Sequence, residues 1–126
     1  MSQTVFPTFK YADAHAAIEW LERVLGAERV AVHEDGDRIS HAEIRIGESL
    51  VMLGSLDGGT ATPPGSVVTY VVVDDADAAH RRAVEAGAQV SGEPVDLDYG
   101  SRDFSATDPE GNVWALGTYR GAAAAG

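Results

Sequence analysis

Along the chain, helix-like apolar spacing gives way to strand-like alternation, and the whole sequence of patterns then repeats. In the first pass Ala14, Ala17, Ile18, Leu21, Val24 and Leu25 recur at helical spacing. Asp13 precedes them as an N-cap whose carboxylate accepts from free backbone N–H groups, and Gly26 follows where a helix ends in a left-handed residue. Arg29–His33, Ile39–Ile46 and Ser49–Gly54 read as strands, with turn chemistry at Glu34-Asp35-Gly36-Asp37 and Gly47-Glu48. In the second pass the strand Val67–Val73 leads to a cap at Asp75 and a helix ending at Gly87. Strands near Arg102–Thr107 and Asn112–Thr118 follow, joined by Asp108-Pro109-Glu110-Gly111.

The two passes share residues as well as pattern. Tyr11-Ala12-Asp13-Ala14-His15-Ala16-Ala17 matches Val73-Asp74-Asp75-Ala76-Asp77-Ala78-Ala79, and Leu25-Gly26-Ala27 matches Ala86-Gly87-Ala88. The predicted fold class is therefore α+β: two tandem βαβββ modules forming a cupped, partly open mixed sheet with helices on its outer face. Module 1 is expected at about residues 3–55 and module 2 at about 67–119, together one domain over 1–120. A Gly-, Thr- and Pro-rich linker spans 55–66, and the tail 121–126 is expected to fray.

The hairpin Ile39–Gly54 tells which face looks where. A two-residue loop at Gly47-Glu48 sets Glu43 opposite Met52, Arg45 opposite Leu50, Ala42 opposite Leu53 and Ile44 opposite Val51. Ala42, Ile44 and Ile46 then face the helix, while His41, Glu43, Arg45, Leu50 and Met52 share the other face. That face reads either as the solvated side of an antiparallel sheet or as the floor of a ligand pocket. The run Val67-Val68-Thr69-Tyr70-Val71-Val72-Val73 is apolar on both sides, which predicts cover on both sides and favours the pocket.

Composition narrows the function classes. The chain has 126 residues, 44% apolar and 23% charged, and no cysteine, which removes disulfides, thiolate metal sites and cysteine nucleophiles. Its net charge of −11 comes from 20 acidic and 9 basic residues, with no gathered basic patch, so nucleic acid is not an expected partner. The acidity reads as a means to solubility, or as a field that favours cationic ligands. No basic segment followed by an apolar run opens the sequence, and no membrane span is present in it. A cytoplasmic address without membrane contact is expected.

Three stretches resemble the vicinal oxygen chelate superfamily of glyoxalases, extradiol dioxygenases and bleomycin-resistance-type drug-binding proteins. They are Ala16-Ala17-Ile18-Glu19-Trp20-Leu21-Glu22-Arg23-Val24-Leu25-Gly26-Ala27, His41-Ala42-Glu43-Ile44-Arg45-Ile46-Gly47 and Asp108-Pro109-Glu110-Gly111-Asn112-Val113-Trp114-Ala115-Leu116. The resemblance implies paired βαβββ modules and, in metal-dependent members, four strand positions bearing His or Glu ligands. By register these fall at Phe6, Met52, about Val68 (Val67 or Thr69 if shifted by one) and Ala115. None of these side chains suits Zn, Mg, Mn or Fe(II), so neither a metal nor another cofactor is expected. The resemblance is thus closest in character to the metal-free drug-binding branch. In the family modules often pair between chains; the linker here is long enough for pairing within one chain or between chains, and a homodimer is expected.

The expected ligand-binding residues are Phe6, Thr8, Lys10, His41, Glu43, Arg45, Leu50, Met52, Val68, Tyr70, Tyr99, Arg102, Phe104 and Ala115. Phe6 and Tyr70 would line the cleft, Tyr99, Arg102 and Phe104 would border it, and Met52 would form a polarisable floor. Trp20 and Trp114 belong to the helix–sheet core. His41 and Glu43 sit two apart on a strand and could supply two metal ligands, which is too few for a site. His15, His33 and His80 read as surface residues, and Lys10 as a stem-packed lysine with its ammonium in water.

No catalytic residue is assigned. The first reading is a non-catalytic protein that binds and sequesters an antibiotic-like aromatic small molecule, with a cationic one favoured by the acidic field. The alternative is a glyoxalase- or dioxygenase-like enzyme with a displaced metal site, or a metal-free one using Glu43 or His41 as acid and base. A bare dimerisation module is a third.

Overall fold

A computed structural model describes residues 3–56, 67–98 and 100–121. The chain divides into two compact units, Met1–Pro63 and Pro64–Gly126. Unit 1 contains β1 (Thr8–Tyr11), α1 (Ala14–Leu25), β2 (Glu28–Asp35), β3 (Arg38–Ile46) and β4 (Ser49–Ser55). Unit 2 contains β5 (Val68–Val72), α2 (Ala76–Glu85), β6 (Gln89–Val90), β7 (Val95–Asp96), β8 (Arg102–Thr107) and β9 (Val113–Gly117). The α+β class and the duplicated module agree with the sequence pattern. The short β6 and β7 were not anticipated, because two residues are too few to show a period.

Each helix starts and stops as its sequence dictates. The Asp13 carboxylate accepts from Ala16 N, and the Asp75 carboxylate from Ala78 N, each at 3.0 Å. Gly26, at φ 69°, closes α1 in the left-handed conformation. In α2 the cap is Ala86, with Gly87 turning left-handed one residue later. The stripe of α1 buries Ala14, Ala17, Ile18, Trp20, Leu21 and Val24, whereas α2 buries only Ala76 and Ala83.

In unit 1 the strand order is β1-β4-β3-β2, with β1 and β4 parallel and the other pairs antiparallel. The β3–β4 register is the one read from the sequence: Glu43 opposite Met52, Arg45 opposite Leu50, Ala42 opposite Leu53, Ile44 opposite Val51. Ala42, Ile44 and Ile46 are buried. Ile39 joins them although its parity is opposite, because β3 carries one extra residue at Ser40 relative to β2, and that bulge reverses the alternation. Unit 2 repeats the order as β5-β9-β8-β6, with β7 also pairing with β8.

In unit 2 the core lies between α2 and the side of the sheet that bears Phe104, Ala106, Trp114 and Leu116, all buried. Trp114 is 0% exposed and its indole Nε1 donates to Asp108 Oδ2 at 3.2 Å. Asp108, itself buried, also accepts from the backbone N–H groups of Glu110 and Asn112 at 3.0 Å. The turn Asp108–Gly111 is thereby tied to the core tryptophan. No helix among the described residues is long and apolar enough to cross a membrane. The proposed linker falls largely, and the tail almost wholly, outside the described residues.

Candidate functional site

Each unit presents one sheet face away from its helix, and strand register decides what stands on it. In unit 1 a row runs Thr8, Met52, Glu43, Ala31 across β1, β4, β3 and β2. Leu50 and Arg45 form a neighbouring row, and His41 pairs with His33. His41 Nε2 lies 3.0 Å from Glu43 Oε2, both half-buried, and the His33 and His41 rings stack with centroids 6.1 Å apart. Arg45 reaches Glu28 at 3.8 Å rather than Glu43. Lys10 pairs in register with Gly54, where a Cβ would lie 3.4 Å from its Nζ and 3.2 Å from the Ser40 carbonyl. The glycine thus leaves room for both.

Unit 2 carries the same row in duplicate: Tyr70 on β5, Ala115 on β9 and Ser105 on β8. The next row, Val72–Gly117–Asp103, holds a polar cluster that sequence reading did not anticipate. The Tyr70 hydroxyl donates to Asp103 Oδ1 at 3.4 Å, accepts from Tyr119 N at 3.1 Å, and lies 3.3 Å from Ser101 Oγ. Ser101 donates in turn to Asp103 Oδ1 and is 1% exposed. A Cβ at Gly117 would fall 2.0 Å from Asp103 Oδ1 and 2.3 Å from the Tyr70 hydroxyl, so only glycine leaves the space they occupy. The signal for this lay in the repeat. Leu53-Gly54-Ser55 and Leu116-Gly117-Thr118 correspond, and Tyr70 stands as far before Asp75 as Thr8 before Asp13.

Several expected site residues lie elsewhere. Phe6 precedes β1, and the residue across from Met52 is Thr8; likewise Tyr70, not Val68, stands across from Ala115. The two errors are the same two-residue offset along equivalent strands. Arg102 and Phe104 sit on the helix side of unit 2, not on the rim of a cleft. Phe104 is buried edge-on against His80 at 5.2 Å, and Arg102 bonds Asp77 of α2 at 3.0 Å and Asp96 at 3.1 Å. These bonds hold the Asp77 carboxyl below its usual value and raise Arg102 further. His80 is accordingly a packing residue, whereas His33 is exposed, as expected, with its ring stacked on His41. Among the described residues the cover expected on both sides of β5 is missing: Val68, Tyr70 and Val72 are 55%, 40% and 41% exposed. Tyr99 lies outside the described residues.

Chemically, unit 1 offers an imidazole–carboxylate pair beside Met52, and unit 2 an exposed aromatic ring with a buttressed carboxylate. Neither matches a divalent metal centre. Thr8 and Met52, and Tyr70 and Ala115, supply no imidazole or carboxylate, and the Tyr70 oxygen is already engaged. Among the described residues no three His, Asp or Glu side chains gather closely enough to hold an ion.

Comparison with known proteins bears on the fold and the family. An uncharacterized protein of Mycobacterium tuberculosis strain H37Rv is 32% identical over 115 residues, covering 83% of this chain and 68% of its own length. Among solved structures, TioX from Micromonospora sp. ML1 superposes with a TM-score of 0.76 at 26% identity, covering 91% of this chain and 94% of TioX. The fosfomycin resistance protein FosX from Mesorhizobium loti gives 0.71 at 18% identity, over 100% and 99% of the two chains, and shares the fold. The model of one family matches residues 8–116, from the first strand through the last, and the chain belongs to the Glyoxalase/Bleomycin resistance protein/Dioxygenase superfamily.

Proposed function

We propose that this protein is a non-catalytic binder that takes up a bulky aromatic small molecule of antibiotic type and releases it unchanged, without metal or other cofactor. The observation that carries the reading is the donor set of the equivalent strand rows. Thr8–Met52 and Tyr70–Ala115 present hydrocarbon, hydroxyl and ring surface where a Lewis-acid site needs imidazole or carboxylate. The uncovered strip Val68, Tyr70, Val72 is apolar surface of the kind that marks a binding site. Met52 adds a polarisable contact that adapts to irregular ligands. A fosfomycin resistance protein shares this fold, which fits a role in resistance. The protein acts as a homodimer in the cytoplasm on this reading.

The test is a thermal-shift screen of natural-product antibiotics on metal-analysed protein, followed by equilibrium dialysis and mass spectrometry of the recovered ligand. Binding at substoichiometric metal with full recovery of unaltered ligand is expected, and Tyr70→Ala should weaken it about tenfold. Stoichiometric transition metal, or turnover of the compound, overturns the reading.

A second reading rests on the His41–Glu43 contact of 3.0 Å. A carboxylate that orients an imidazole is an acid–base pair, and a metal-free enzyme would use it on a ligand held beside Met52. Under this reading Glu43→Gln abolishes turnover. Under the first it leaves recovery complete.

A further inference from the structure

The polar cluster on unit 2 is built more tightly than pinning a loop requires. Ser101 is buried and aims its hydroxyl at Asp103 Oδ1, the Tyr70 hydroxyl donates to the same oxygen, and Gly117 clears the volume in which they meet. All of this converges on one carboxylate oxygen. Among the described residues the other, Asp103 Oδ2, has no hydrogen-bond partner, and it is not buried, so it opens to solvent. Beside it stands the Tyr70 ring, 40% exposed, with its hydroxyl fixed by the Tyr119 N–H. An oriented carboxylate oxygen next to an immobilised aromatic face is the combination that binds a cationic nitrogen, by charge-assisted hydrogen bonding and by the ring quadrupole together. An arginine or lysine of the protein could have neutralised Asp103, yet no ion pair reaches it among the described residues.

We propose that Asp103 is the recognition element for a positively charged nitrogen on the bound molecule, with the Tyr70 ring as the adjoining wall and Ser101 and Gly117 as positioning residues. The proposal rests on the reading of the protein as a binder of aromatic small molecules, and it narrows that class to aromatic cations.

Two flat probes of nearly equal shape separate the two claims at neutral pH: 9-aminoacridine, a cation, and acridine, which is mostly neutral. Binding is measured by fluorescence on the full-length protein. The wild type should prefer the cation, and Asp103→Asn should lower its affinity about tenfold while moving acridine by less than about twofold. Asp103→Ser provides a second uncharged variant should Asn fail to fold. Glu48→Gln removes the same charge at an exposed turn of unit 1 and should leave the preference intact. Equal binding of both probes, or an equal loss of preference in Glu48→Gln, overturns the role of Asp103 and leaves the binding reading standing. Failure of the wild type to bind either probe counts against both. Gly117→Ala, which displaces Asp103 and Tyr70, should reproduce the loss of preference; an unaltered preference counts against the buttressing.

Discussion

The two units share a strand order and a pair of helix caps, yet they attach their helices in different ways. In unit 1, α1 buries Ile18, Trp20, Leu21 and Val24 against a sheet face of Ile39, Ala42, Ile44, Val51 and Leu53. In unit 2, α2 buries two alanines, and specific contacts do the rest: His80 edge-on to Phe104, and Arg102 to Asp77. A duplicated frame needs only that the helix be held, by hydrocarbon area on one side or by directional contacts on the other. The sheet faces diverge along with this. Unit 1 keeps an imidazole–carboxylate pair, and unit 2 a tyrosine locked to a serine and an aspartate.

The largest effect should come from removing hydrocarbon where hydrocarbon holds the helix. Leu21→Ala empties a position 1% exposed and is expected to cost about 2–5 kcal/mol in denaturant unfolding. Val84→Ala on α2, at 51% exposed, should cost under about 0.5 kcal/mol. Comparable losses from the two would erase the proposed asymmetry.

Next comes the turn before the last strand. Asp108→Ala leaves the buried Trp114 N–H and two turn N–H groups without their acceptor, and should cost roughly 2 kcal/mol. The equivalent turn in unit 1, Gly47-Glu48, has no such anchor among the described residues, and Glu48→Ala should fall within about 0.5 kcal/mol. If Trp114 fluorescence and stability are unchanged in Asp108→Ala, the turn is not what fixes the unit 2 core.

What could be read in advance follows the range of the interactions. The β3–β4 register was legible to the residue, because a two-residue hairpin and a period of two leave one solution. Both Asp caps and the stripe of α1 are local patterns, and they were legible too. The offsets at Phe6 and Val68 arose on edge strands, which have a single neighbour each and where alternation alone fits more than one register. Arg102 and Phe104 were misplaced because the parity of β8 was not tied to a turn, although Trp114, correctly placed in the core, stands opposite Ala106 on the same face. The Tyr70–Ser101–Asp103 cluster joins residues from β5, a loop and β8. No local pattern announces it; only the repeated Leu-Gly pair hinted that Gly117 was reserved for a neighbour's side chain.

The smallest effect probes a further device common to both units, an arginine reaching from a strand to the helix. In unit 1 Arg29 bonds Glu22 at 3.0 and 3.1 Å, and in unit 2 Arg102 bonds Asp77. The hydrogen bond from Arg102, and then its charge, hold the Asp77 carboxyl below its ordinary value. A carboxyl lowered on folding contributes stability above its unfolded pKa of about 3.9, and loses it as the pH falls through the folded value. Both side chains are exposed, so the contribution is small and screened by salt. Arg102→Met should therefore lower Tm slightly between pH 6 and 8, and the difference from wild type should close below about pH 4. Arg29→Met should lower Tm less at neutral pH, because α1 remains held by its apolar stripe. A Tm difference for Arg102→Met that stays constant from pH 8 to pH 3 would mean that the arginine acts through the packing of its stem, and that α2 is attached more like α1 than the contacts of unit 2 indicate.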